Sequence, residues 1–112
     1  MIEEIVREHL KAQMNTDKVY MEVPEKPLKK FIVIEKTGSR MVNLINYSTI
    51  AVQSYDESLE KTAKLNELVK AAMFSLADNA GIGKVKLETD YNFTDITTKR
   101  YRYQAVFDIT HY

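Results

Sequence analysis

Apolar residues recur at spacings of three and four between Ser54 and Gly81, and this periodicity predicts one long helix around which the rest of the chain is wrapped. Leu65, Leu68, Val69, Ala72, Met73 and Leu76 fall on a single stripe. Each large apolar side chain in such a stripe contributes roughly 1.5–3 kcal/mol when fully buried, enough to seat a sheet against the helix. Ser54-Tyr55-Asp56-Glu57 has capping-box spacing for the start. Asn79-Ala80-Gly81 ends in a residue suited to the left-handed conformation that closes helices.

The remaining pattern divides between a second helix and strands. Ile2, Ile5, Val6, Leu10 and Met14 form the stripe of a helix over residues 2–14, flanked by His9 and Gln13. Its acidic residues Glu3 and Glu4 precede Arg7 and Lys11, the order the helix dipole favours. Val19 to Val23 alternates weakly and predicts a short edge strand, ended by Pro24-Glu25-Lys26-Pro27. A rigid loop explains those prolines better than a polyproline ligand does. Phe31-Ile32-Val33-Ile34-Glu35 is apolar on both faces, as in a central strand. Lys36 to Arg40 reads as a turn and Met41 to Asn46 as a loop. In the strand from Tyr47 to Tyr55, Ile50 and Val52 face one side and Thr49, Ala51 and Gln53 the other.

After Gly81-Ile82-Gly83, residues 84–93 alternate. Val85, Leu87, Thr89, Tyr91 and Phe93 take one face; Lys84, Lys86, Glu88, Asp90 and Asn92 take the other. Residues 100–111 repeat this, with Tyr101, Tyr103, Ala105, Phe107 and Ile109 opposite Arg102, Gln104, Asp108 and Thr110. The two segments predict an antiparallel hairpin with one wetted face, joined by the longer loop Thr94–Lys99. The expected architecture is α+β. It comprises a single four- to five-stranded antiparallel or mixed sheet packed against a long central helix and an N-terminal helix, in one domain over residues 1–112.

Composition narrows the function classes. Sixteen basic and sixteen acidic residues cancel, so there is no global attraction for nucleic acid or anionic lipid. Cysteine is absent, which removes disulfides, thiol catalysis and cysteine-bound zinc. The acidic, amphipathic N-terminus lacks signal-peptide features, and no apolar run approaches membrane-spanning length, so a protein made and used without crossing a membrane is expected.

The search for chemistry is mostly negative. His9 and His111 lie at opposite ends of the chain, and His111 alternates onto the same face as Ile109, as a packed histidine would. Asp90-Tyr91-Asn92 faintly resembles a calcium loop, but Asp95 stands where glycine is needed and Tyr101 where the final glutamate belongs. Gly81-Ile82-Gly83-Lys84 follows its helix rather than preceding one, the wrong order for a phosphate cradle. Asn46-Tyr47-Ser48 and Asn92-Phe93-Thr94 fit the glycosylation pattern, without a secretory signal to give it meaning. Neither a cofactor nor a metal is implied.

Lys99-Arg100-Tyr101-Arg102-Tyr103 interleaves bases and aromatics, as nucleic-acid binders do. Strand alternation sends those arginines and tyrosines to opposite faces, which is poor geometry for a shared platform. Phe74 lies opposite the apolar stripe among Glu67, Lys70 and Asp78, on the general side of Ala63 and Ala71. It is either covered by another part of the fold or offered to a partner, and a self-association face is one expectation.

The second half resembles the small tail terminator, tail-completion or head–tail joining proteins of long-tailed bacteriophages and prophages. The likeness is carried by Tyr47-Ser-Thr-Ile-Ala-Val-Gln-Ser-Tyr55, Glu67-Leu-Val-Lys-Ala-Ala-Met73 and Lys84-Val-Lys-Leu-Glu-Thr-Asp-Tyr-Asn-Phe-Thr94. Its strongest part is Thr97-Thr-Lys-Arg-Tyr-Arg-Tyr-Gln-Ala-Val-Phe-Asp-Ile-Thr-His-Tyr112. None of these segments is a catalytic signature.

The resemblance implies a non-enzymatic virion component without a cofactor. It would form a ring, commonly of six subunits, at the head-proximal end of the tail tube, in the host cytoplasm during assembly and in the virion tail thereafter. Its partners would be itself, the tube protein and the head connector or adaptor, with DNA only passing through the ring. The family carries no fixed functional motif, so interface candidates come from the pattern. They are Phe74 and Ala71 on the helix, Lys84, Lys86, Glu88, Asp90 and Arg102 on the hairpin, and Lys36, Arg40, Lys99 and Arg100 in the loops. Another head–tail connector component, or a small α+β nucleic-acid-binding module, is the alternative.

Overall fold

The computed structural model describes residues 1–26 and 28–112; Pro27, and with it the second proline of Pro24–Pro27, lies outside the described residues. The elements in chain order are α1 (Ile2–Met14), β1 (Val19–Tyr20), β2 (Phe31–Val42), β3 (Ile45–Asp56), α2 (Leu59–Ser75), a 3₁₀ turn (Leu76–Asp78), β4 (Ile82–Asn92) and β5 (Tyr101–His111). The five strands form one mixed sheet in the order β1-β2-β3-β5-β4, parallel only between β1 and β2. This is the expected α+β architecture.

Both helices pack on one face of the sheet. Val6 and Leu10 of α1 and Leu65, Val69 and Met73 of α2 meet Ile32, Ile34, Ile50, Val52, Ala105, Phe107 and Ile109, which alternate along three adjacent strands. On the opposite face Phe31, Val33 and Tyr55 form a smaller cluster with Tyr20 and Leu28. The Phe31 and Tyr55 rings stack there at 4.4 Å.

α1 ends as its sequence directs. Asn15 takes the left-handed conformation, and the N–H groups of Asn15 and Thr16 donate back to the carbonyls of Ala12 and Lys11. α2 starts later than the Ser54 capping box predicts. Ser54 is buried within β3, which pairs with β5 as far as Asp56–Tyr101. The cap is Ser58, whose Oγ accepts from Lys61 N at 3.1 Å. A cap contributes about 1 kcal/mol, less than a continuous ladder with its packed face. At the other end α2 stops at Ser75, and Gly81, with φ 86°, serves the turn into β4 rather than the helix.

The segment read as turn and loop, Lys36 to Asn46, is instead a β-hairpin. β2 continues to Val42, and Asn43 and Leu44 turn the chain into β3. Two further corrections concern burial. Leu68 leaves the stripe and is 58% exposed. In the C-terminal hairpin, a bulge between Leu87 and Thr89 reverses the alternation of β4. Val85 and Leu87 face the helices, but so does Asp90, opposite Ala105, while Tyr91 moves to the other face opposite Gln104.

Candidate assembly surface

The candidate residues fall into four groups that the fold separates. Lys36 lies on the helix-bearing face, where its Nζ is 3.8 Å from Glu3 Oε2 of α1. Four residues on, Arg40 stacks over the Tyr47 ring at 4.2 Å. Both are therefore engaged within the chain. The tip of this hairpin, beyond its exposed polar stem, presents the large apolar residues Met41, Val42 and Leu44.

The second group lies along β4, the outer strand at one side of the sheet. Lys84, Lys86 and Glu88 are exposed there, and Lys86 pairs with Glu88 of its own strand at 3.3 Å. Charges on an outer strand discourage indiscriminate edge pairing. Asp90 does not belong to this wetted set. Its Oδ2 accepts 2.9 Å hydrogen bonds from Asn66 Nδ2 and Lys70 Nζ of α2. The Lys70 ammonium also lies 2.8 Å from Glu67 Oε1. The hydrogen bond to Glu67, and then that to Asp90, raise its pKa above the ordinary lysine value.

The third group is the loop after β4 and the start of β5. Lys99 has a positive φ of 57° and is exposed. Asp95 accepts from the N–H groups of Thr97 and Thr98, and hydrogen bonding led by Thr98 holds its carboxyl below the usual range. Arg100 leans over the Phe31 and Tyr55 rings and donates to Leu28 O at 3.3 Å. Arg102 stacks on Phe93 at 4.2 Å and donates to Phe93 O and to Tyr55 Oη. Tyr103 does face away from Arg102, as alternation requires. The β4 bulge nonetheless brings Tyr91 and Phe93 onto the arginine's face, so bases and aromatics meet after all. Tyr101, expected in the core, is 38% exposed at the sheet's end.

Phe74 and Ala71, read as neighbours on one face, diverge. Phe74 turns toward β5, its ring edge-on to Phe107 at 6.1 Å, and stays half exposed. Ala71 lies on the side toward α1. With Leu68, Leu65, Met14 and Ile32 it lines a groove of about 610 Å³ between the helices. Neither this groove nor the apolar hairpin tip is visible in the helical and strand periodicities. The one signal in the sequence is the cluster Met41-Val42 and Leu44-Ile45 around Asn43, inside the stretch read as a loop.

Among the described residues serine and histidine meet twice. His9 Nε2 of α1 lies 2.9 Å from Ser75 Oγ and 2.8 Å from Ala72 O of α2, and the Ser75 hydroxyl donates to that same carbonyl, so this pair ties the two helices together. Ser48 Oγ and His111 Nε2 are 2.8 Å apart, the spacing of a nucleophile and its base. Ser48 is only 3% exposed, so its hydroxyl does not face a substrate, and the pair serves packing at the end of the sheet. Burial pushes the His111 imidazole below its ordinary pKa, and the charge of Lys36 adds to this. Among the described residues no group of three or more His, Cys, Asp or Glu could hold a metal ion, and no helix is long and apolar enough to cross a membrane.

The arrangement defines a small α+β protein with several engaged ion pairs, one long charged outer strand and two exposed apolar patches. No family model matches the chain, and no curated protein matches its sequence. Among solved structures, a chain of the "Virion of native gene transfer agent (GTA) particle" shares the fold with a TM-score of 0.59. The match covers 95% of this chain and 90% of that one at 14% identity.

Proposed function

We propose that this chain is a structural protein of a tailed-phage or phage-like virion, acting as a tail terminator or head–tail joining subunit. The observation that carries this reading is the fold shared, over nearly the full length of both chains, with a component of a gene transfer agent virion. The sequence segments that resemble tail terminators build β3, α2, β4 and β5, the part of the fold that holds most of the core. The subunit closes into a ring, with six copies as the expected number, and caps the tube at its head-proximal end. Phe74 and the outer-strand residues Lys84, Lys86 and Glu88 are proposed contacts for the tube or the head connector. Ring formation needs two different complementary patches per subunit.

The test is to mix the purified protein with self-assembling tail-tube protein from the same particle and image tube ends. Rings on tubes of limited length support the reading. Tubes that grow unchanged with bare ends rule out the terminator role, and binding to the portal and adaptor then decides the connector role.

One observation favours a second reading, a nucleic-acid-binding module. Arg102, Phe93 and Tyr91 share the face of the sheet without helices. Salt-sensitive binding of single-stranded DNA that weakens in Arg102→Ala would support it.

A further inference from the structure

We propose that the β2–β3 hairpin tip of one copy of this chain docks into the α1–α2 groove of a second copy, joining subunits head to tail. The contact deepens the ring reading above and rests on it for closure of the chain of contacts.

The turn itself points to a partner. Asn43 and Leu44 both have positive φ, 51° and 66°. Two-residue hairpin turns of this hand favour Asn-Gly, because glycine has no Cβ to strain at the second position. Leucine stands there instead, and it is 83% exposed. The chain thus breaks two local rules at one residue, placing a bulky side chain in a strained backbone region and in water. Such departures concentrate where function requires them. Met41 and Val42 extend the patch, at 61% and 45% exposed.

The groove supplies what the tip lacks. Its apolar wall includes Leu68, itself 58% exposed, beside Ala71 and Met14. The only charged residues among its described lining are Lys18 and Lys30, so nothing there favours a basic visitor, and its polar rim of Gln13, Asn15, Thr16 and Ser75 can meet the backbone and the Asn43 amide of the turn. From Met41 to Asn46 the tip is uncharged, and the nearest cation, Arg40, is held on Tyr47.

Position rules out a contact within one chain. Ile32 lines the groove, and ten residues of β2 separate it from Val42, about 33 Å at the rise of a strand. The molecule is 44 Å along its longest axis, so groove and tip sit toward opposite ends. The tip cannot fold back into its own groove while β2 stays paired with β3. A contact between two different patches is heterologous, and repetition gives a ring or a filament.

The chain contains no cysteine, so engineered pairs report the contact directly. The variants are Leu44→Cys, Leu68→Cys and, as an exposed control outside the groove, Asp78→Cys. Under mild oxidation, Leu44→Cys mixed with Leu68→Cys should give the crossed dimer at least about tenfold faster than Leu44→Cys mixed with Asp78→Cys, because docking raises the local thiol concentration. One chain carrying both Leu44→Cys and Leu68→Cys should give a ladder of linked multimers. All these positions are exposed, and circular dichroism confirms that each variant folds. Equal rates with Leu68→Cys and the control would overturn the proposal. Tube caps without the crossed dimer would keep the ring reading and sink this contact. The crossed dimer without caps would keep the contact and sink the placement on the tube.

Discussion

Asp90 of β4 reaches under α2 and accepts a 2.9 Å hydrogen bond from the amide of Asn66, which is 1% exposed. The β4 bulge alone makes this possible, since regular alternation would turn Asp90 to water. Asp90→Ala leaves a buried amide without its acceptor and should cost about 1–3 kcal/mol in chemical denaturation. A loss within the range of ordinary surface substitutions, about 0.5 kcal/mol, would mean that Asp90 is solvated and the bulge is misplaced.

The two candidate helix caps make opposite predictions. Ser58→Ala should destabilise by about 1 kcal/mol, because Lys61 N loses its acceptor. Ser54→Ala should be close to neutral, since the buried Ser54 Oγ has no hydrogen-bond partner among the described residues. Thermal or urea unfolding of the two variants side by side decides it. The reverse ranking would restore the earlier helix start.

His111 carries a pH signature. Its folded-state pKa lies below the ordinary value of about 6.5, so the unfolded chain binds the proton more readily. Its contribution to stability is complete above pH 6.5 and declines as the pH falls toward the lower folded value. Subtracting the stability–pH profile of His111→Gln from that of the natural chain removes the common carboxylate contribution. The difference should slope between pH 6.5 and the acid side and be flat above it. A flat difference throughout would show that the ring titrates as in water.

Leu44→Gly tests the strained turn apart from any partner. A left-handed residue bearing a Cβ costs about 1–2 kcal/mol, offset in part by the added freedom of glycine in the unfolded chain, roughly 0.5–1 kcal/mol. The thermal midpoint should therefore hold or rise by a few degrees. A clear fall would mean that Leu44 packs within its own chain, against its 83% exposure.

Phe74→Ala should cost less than the roughly 3–5 kcal/mol typical of a fully buried phenylalanine, because half of the ring already faces solvent. If Phe74 contributes to assembly, a folded Phe74→Asp variant should also lower the assembled mass in analytical ultracentrifugation. An unchanged mass removes Phe74 from the interface.

Local pattern by itself determined much of this protein. The helix over residues 2–14, the Asn15 stop, the outward turn of Thr49 and Gln53 on β3, and the five buried apolar positions from Leu65 to Leu76 follow from local pattern, which acts over a few neighbouring residues. Tertiary structure alone decided the rest. Pairing with β5 held Ser54 in a strand against its capping-box spacing. Pairing of β2 with β3 turned an apparent loop into a hairpin and put Leu44 at its tip. The bulge in β4 exchanged Asp90 for Tyr91 across the sheet, separating one candidate contact from its neighbours and joining Arg102 to aromatics far from it in pattern. A bulge changes the phase of every later residue but leaves no mark on composition. The groove, built from residues of α1, β2 and α2, exists only once distant segments are packed together.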